Sequence, residues 1–399
     1  MTKVLDGIRV LDFGRYIAGP YCAALLADFG ADVIRIEKRD GSEDRWMIPT
    51  MPGDKTTERE GAMFFQMNRN KRGMTLDPMT AEGRAIAERL IKTADVVIAN
   101  LPPETLTAMG LDYATLSAIN PRIVLTTASA FGHGGPYSNR VGFDGVAQTM
   151  SGVVYMTGEP GHPTRAAAPW VDFSTAMLSA YGTLAALMAR DKTGRGQQVE
   201  GALLATALTV NITTLAEQDA LGIDREPTGN RGQTAAPSDL FQCTDGWIIV
   251  LVNGNPLYRR WAKLMGEPHW LTDPRFATDE SRGDNGAAIS ERTSAWCRDK
   301  TVAEALALLE SARVPASPVY KPQQTLDDPH VKAMKFLQGV DYPGLPKPAI
   351  IAATPIKLSE TPGVIESRAP LLGEHTDAIL AELGYSADEV NAFRAAGVV

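Results

Sequence analysis

"IRVLDFGRYIAGPYCAALLADFGADVIRIE" (Ile8–Glu37) decides the fold. Ile8–Phe13 is a short apolar run, which reads as a strand. Gly19–Gly30 has a proline at its start, helix formers inside and glycine at its end, which reads as a helix. Asp32–Glu37 is the next strand. Downstream the alternation continues with a helix over Ala81–Thr93, a strand over Asp95–Asn100, two short helical pieces and a strand over Arg122–Ser129. Repeated strand–helix units predict a parallel, doubly wound α/β sheet. Near-continuous apolar strands fit a sheet covered on both faces.

Further along, a helix is expected over Phe173–Arg190, followed by strand-like "QQVEGAL" (Gln197–Leu203) and helical sequence to about Leu221. Gly222–Leu240 is rich in Gly, Pro and Asp and reads as a linker or active-site loop. "FQCTDGWIIVLVNG" then predicts a hairpin turning at Asp245–Gly246. Helices follow to about Ala312, then a Pro-punctuated stretch and a last helix near Ala378–Leu383. The division is a large domain over 1–222, a smaller α+β domain over 225–325 and a final segment over 326–399.

Composition excludes several classes. The 399 residues are 44% hydrophobic and 22% charged, as in an ordinary soluble protein. With 39 basic against 47 acidic residues, the net charge of −8 argues against nucleic acid and anionic membrane as partners. Cys22, Cys243 and Cys297 form no CxxC, and the five histidines form no HExxH, so no metal site is legible. Charges at Asp6, Arg9, Asp12 and Arg15 exclude a signal-peptide core. The stretch from Phe173 to Ala189 is interrupted by Ser, Thr and Gly and falls short of the ~20 apolar residues of a membrane span. A cytoplasmic protein is expected.

In open α/β sheets, ligands lie beyond the carboxyl ends of the strands. Four loops qualify: Gly14–Pro20, Lys38–Trp46, Asn100–Glu104 and Ala130–Asn139. None carries GxGxxG, and the chain has no phosphate loop of the GxxxxGK[ST] type and no GxSxG elbow. "NRNKRGMTLD" (Asn68–Asp77) concentrates Arg69, Lys71 and Arg72, which reads either as a solvated turn or as an anion site. Asp172, in "AAPWVDFSTAML", stands where a helix opens. As a cap it would contribute ~1 kcal/mol, although Thr175 leaves a capping box incomplete. A helix start also favours the ionised carboxylate by ~0.3–1 kcal/mol, which keeps it available as a nucleophile.

"LDGIRVLDFGRYIAGPYCAALLADFGADVIRIEK", "NRNKRGMTLD", "ADVVIANLPP", "GFDGVAQTMSG", "ARDKTGRGQQVEGALL" and "RAPLLGEHTDAILAELGYSADEVNAFRAAGVV" occur in an order that resembles the class III CoA-transferase family, with its formyl-CoA, carnitine-CoA and α-methylacyl-CoA racemase branches. The resemblance implies a Rossmann-like large domain built from both ends of the chain, an inserted small domain and an interlocked homodimer. It implies Asp172 as the nucleophile, carried through an aspartyl-CoA thioester. CoA and acyl-CoA enter as substrates, with a carboxylic acid acceptor and no permanently bound cofactor. By position, CoA contacts fall on Ile17, Ala18, Lys38, Leu76, Asn100, Leu101, Phe143 and Asp144. A family arginine aligns with Ala108 and a family lysine with Val141, and Arg140, Lys71 and Arg72 are the candidate replacements for holding the CoA phosphates. "GNRGQTAAPSDLF" replaces the glycine-rich loop of the formyl-CoA branch, which argues against formyl-CoA/oxalate specificity. Asn230, Arg231, Gln233 and Ser238 in that loop suggest room for a dicarboxylic acid, with Arg231 as a partner for its second carboxylate. Two alternatives stand beside this reading. A racemase needs an acid/base pair, but the branch's "GHD" is Gly142-Phe143-Asp144 here, and phenylalanine carries no proton. A CoA-binding protein without turnover would keep the loops and dispense with Asp172.

Overall fold

The structure is a computed structural model and describes residues 3–47, 49 and 60–399. The chain divides into two compact units: Met1–Ser151, Ala166–Thr213 and His330–Val399 form the first, and Gly152–Arg165 and Thr214–Pro329 the second.

The first unit is built on six strands: β1 (Arg9–Asp12), β2 (Asp32–Glu37), β3 (Lys71–Thr75), β4 (Val96–Ala99), β5 (Val124–Ser129) and β6 (Gln198–Ala202). They run in the order β3-β2-β1-β4-β5-β6, and every neighbouring pair is parallel. This is the doubly wound order, with its reversal between β1 and β4. Alternate residues of each strand face opposite layers. Leu11, Ile34, Val97 and Leu125 pack with Ile86 and Leu90 of helix α2 (Ala81–Thr93). Val10, Val33, Val96 and Val124 pack on the other face with Cys22 and Leu26 of helix α1 (Ala18–Asp28) and with Ala176 and Ala180. The Thr80 hydroxyl accepts from Gly83 N–H at 3.0 Å and caps α2.

Three expectations are corrected. "NRNKRGMTLD" is neither a solvated turn nor an exposed anion site: Lys71–Thr75 is the edge strand β3. Two of its charges are buried because each has a partner, Arg69 on Asp28 at 2.6 Å and Lys71 on Asp12 at 2.7 Å, while Arg72 stays partly exposed. The helix expected from Phe173 starts at Trp170 and runs to Thr193. A helix over Ala387–Ala395, capped by Ser386, follows the one at Thr376–Glu382 and has no counterpart in the sequence reading.

The second unit holds an antiparallel sheet of β7 (Ser238–Gln242), β8 (Trp247–Leu251) and β9 (Ala316–Pro318), with β8 central. The hairpin expected around Asp245–Gly246 joins β7 to β8. Trp261, Ile289 and Leu309 from three helices complete its core, together with the free thiols Cys243 and Cys297. Among the described residues, no helix is long and apolar enough to cross a membrane.

Candidate active site

A cavity of about 210 Å³ opens where the strand order reverses. Residues 15–18 follow β1, 100–102 follow β4, 128–130 end β5, and Leu203 follows β6; residues 140–143 and Asp172 close the ring. The loop after β1 is tightly fixed. A Cβ on Gly14 would lie 2.7 Å from Pro20 Cδ and 2.8 Å from Asp12 Oδ1, so only glycine fits there. Asn100 clasps the same loop: its Oδ1 accepts from Arg15 N–H at 2.6 Å and its Nδ2 donates to Arg15 O at 2.7 Å. Next to this clasp Tyr16 adopts a left-handed backbone (φ 62°), a conformation that costs on the order of 1–3 kcal/mol and persists where the surroundings enforce it. Its ring meets Phe143 edge-on at 5.4 Å.

Asp172 is the third residue of helix α4 (Trp170–Thr193). No side chain from α4 or from Pro169 caps this helix. The cap comes from helix α3 (Asp144–Met150): Asp144 Oδ2 accepts from the N–H groups of Val171 (2.8 Å) and Asp172 (3.1 Å), the two amides an N-cap serves. Gln148 Nε2 donates to the other oxygen of Asp144. The capping role open to Asp172 in the sequence thus belongs to a residue 28 positions earlier. Asp172 itself is partly buried, and among the described residues its carboxylate has no hydrogen-bond donor. Burial, with the nearby Asp144 carboxylate adding to it, raises its acid to about 7. A carboxylate with reduced solvation and no donor is more nucleophilic than one fully hydrated and hydrogen-bonded.

The residues singled out in the sequence fall into three groups. Ile17, Ala18, Asn100, Leu101, Arg140 and Phe143 line the cavity with Asp172. Lys38 and Leu76 line a second cavity of about 170 Å³ with Phe13 and Met109. Arg15, which the sequence reading did not select, lines both. Its only signal was membership in the loop after β1. Lys71, Arg72 and Asp144 line neither cavity. Lys71 is buried, donating to Asp12 Oδ2 (2.7 Å), Pro20 O (2.8 Å) and Asn68 Oδ1 (3.0 Å). Arg72 is tied to Asp32 and Glu382. Both oxygens of the buried Asp144 are occupied. Lys71 and Asp144 are structural in this fold, since a buried charge with a full set of partners has no capacity left for a ligand, whereas Arg72 is partly exposed and shares its charge between two carboxylates. Ala108 and Val141 bear no charge, but Arg84 Nη2 donates to Ala108 O at 2.6 Å, which puts a cation beside the missing arginine. Arg231 belongs to the second unit, where its Nη1 lies 3.1 Å from the point a Cβ on Gly286 would occupy. Among the described residues, no group of three or more His, Cys, Asp or Glu could hold a metal ion.

Residues 5–376 match CoA-transferase family III, and the chain belongs to that family. Its activity is that of an acyl-CoA:carboxylate CoA-transferase. Among its relatives, the succinyl-CoA--D-citramalate CoA-transferase of Chloroflexus aurantiacus is 34% identical over 401 residues, covering 100% of this chain and 98% of the relative. The succinate--glutarate CoA-transferase of Agrobacterium fabrum is 33% identical over 392 residues, covering 95% of each chain. The crystal structure of a CaiB/BaiF family protein from Brucella suis superposes with a TM-score of 0.82 at 33% identity, over 96% of this chain and 100% of that one.

Proposed function

We propose that Asp172 is the nucleophile and that the reaction passes through an aspartyl-CoA thioester. An Asp172 oxygen attacks the donor thioester carbon; the C–S bond breaks, leaving a mixed anhydride and CoA thiolate. The thiolate attacks the Asp172 Cγ, forming the aspartyl thioester and releasing the donor carboxylate. The acceptor carboxylate attacks that Cγ, releasing thiolate again, and the thiolate takes the acceptor's acyl group from the second anhydride. Asp172 is regenerated and no net proton is required. The carrying observation is the partly buried carboxylate of Asp172, without a donor among the described residues, on the cavity at the switch point. The amino end of α1, where Ile17 and Ala18 line the same cavity, favours the anions formed along this route.

CoA lies across both cavities in this reading, with the thiol at Asp172 and Lys38, Arg84 and Arg15 supplying charge for the phosphates. Arg15 lies between the two ligand halves because it lines both cavities. The donor and acceptor are dicarboxylic acids with a short spacer, as succinate, glutarate and citramalate are in the names of the relatives. Phe143 in the cavity wall carries no proton, which disfavours racemisation next to the thioester. The enzyme works in the cytoplasm as an interlocked homodimer, with the second unit as an inserted domain. Apolar Met177, Tyr181 and Met188 recur on one face of α4, Tyr181 being 73% exposed, which supports burial against a second copy.

The test is to mix the protein with succinyl-CoA, quench it, and determine the mass of the peptide carrying Asp172. Addition of CoA with loss of water is expected at Asp172. Exchange that proceeds with no adduct on that peptide under any quench would refute the covalent route.

A further inference from the structure

Two cations line the cavity at Asp172, and they are held differently. Arg15 is partly buried, and its Nη1 donates to the carbonyls of Gly14 (2.9 Å), Phe13 (3.0 Å) and Ile36 (3.4 Å). It also lines the second cavity, toward Lys38. Arg140 is exposed, and among the described residues no carboxylate pairs with it. Its guanidinium carbon sits 3.9 Å from the centre of the Tyr137 ring, and Tyr137 packs edge-on against Phe131 at 5.7 Å. Stacking fixes the plane of a guanidinium and leaves its N–H edge free, the geometry that grips a carboxylate with two parallel bonds. Ile17, Ala18, Leu101, Val141, Phe143 and Leu203 make much of the remaining wall apolar. Such a wall cannot compensate a second negative charge beside Asp172 unless a cation faces it.

Resting on the transferase reading, we infer that Arg140 is the specificity-determining residue that receives the distal carboxylate of a dicarboxylate acceptor, and of the matching acyl group on the donor. This reassigns Arg140, which the sequence placed with the CoA phosphates. Arg140 shares its cavity with Asp172, whereas Lys38 and Leu76 lie in the second one. One carboxylate of the acid addresses Asp172 or its thioester; the other, a short spacer away, takes the free edge of Arg140. A monocarboxylate of equal length leaves that edge to water and places a methyl group there.

The experiment uses the full chain saturated with CoA and titrates it calorimetrically with glutarate and with pentanoate, which differ only at the distal end. Glutarate is expected to bind about ten- to a hundredfold more tightly than pentanoate, as a charge-assisted pair provides. Arg140→Gln removes that preference, and Arg140→Lys restores part of it because the ammonium keeps the charge without the planar fork. Affinity for free CoA, which has the phosphates but no acyl carboxylate, changes less than about threefold in Arg140→Gln. The inference is overturned if wild type binds both acids equally, if the preference survives in Arg140→Gln, or if free CoA weakens as much as glutarate does. Binding needs no turnover, so a normal glutarate preference in a protein that exchanges no CoA would count against the transferase mechanism and leave Arg140 in place.

Discussion

Two groups of charge lie near the carboxyl ends of the strands, and they are handled in opposite ways. On the β1–β2–β3 side, Asp12, Arg35, Glu37, Asp44, Arg45 and Lys71 are all buried and interlinked. Arg35 binds Asp44 at 2.8 Å and Gly14 O at 2.7 Å, Arg45 binds Glu37 at 2.7 Å, and Lys71 binds Asp12 at 2.7 Å. Burial alone would raise the carboxyls of Asp12 and Glu37, but the cations beside them win, and Glu37 falls to about 2. On the β1–β4–β5 side, Asp172 has no cationic partner among the described residues, burial and Asp144 act in the same direction, and its acid rises to about 7. The difference separates charges that hold the scaffold from one that the fold leaves without a counter-charge among the described residues, as the proposed nucleophile requires. Paired charges fix the loop after β1, whose Gly14 and Pro20 carbonyls they bind. An unpaired one stores reactivity.

The largest effect expected is on Asp172 itself. Asp172→Ala should reduce CoA exchange by at least about 10⁴-fold while CoA binding and the circular dichroism spectrum persist. Loss of both would place Asp172 with the scaffold. Next is the paired region: Lys71→Met should cost about 3–5 kcal/mol in urea unfolding, because Asp12 is left buried and short of a partner. Adding Asp12→Asn should recover part of this loss, and a Lys71→Met protein as stable as wild type would erase the contrast between the two regions.

Asp144 sits between these two behaviours, structural by its bonds and electrostatic in its effect on Asp172. If Asp172 is the nucleophile proposed above, it reacts ionised, and wild-type kcat/KM should rise about tenfold per pH unit and level off above about 7. Asp144→Asn should lower the plateau by about ten- to a hundredfold, as α4 loses a charged cap. It should also move the rising limb to lower pH, which a purely structural role would not do. The smallest effect is on stability. Asp172 titrates above its ordinary value of 3.8, so the folded chain holds a proton that the unfolded chain has lost between about pH 4 and 7. Stability therefore falls as pH rises through that window. Asp172→Asn should be more stable than wild type by about 1–2 kcal/mol at pH 8 and indistinguishable from it at pH 4, read from thermal melts at both values.

What the sequence determined by itself is whatever depends on neighbours along the chain. The alternating periods over Ile8–Glu37 specify strand, helix and strand, and Asp32–Glu37 and Ala81–Thr93 end where the pattern ends. The family motifs pointed to Asp172 and, in the cavity wall, to Ile17, Ala18, Asn100, Leu101 and Phe143. Tertiary structure decided what depends on partners far apart in the chain. Lys71 reads as a surface charge until Asp12, 59 residues away, neutralises it and lets β3 join the sheet. Asp172 reads as a helix cap until Asp144 takes the Val171 and Asp172 amides. Arg140 and Arg15 have equal charge in the sequence, and only their surroundings tell them apart, one stacked on a ring and open, the other bound to three carbonyls. Local pattern encodes backbone conformation, but the free energy of a charge is set by the solvent and the counter-charges that the fold brings to it.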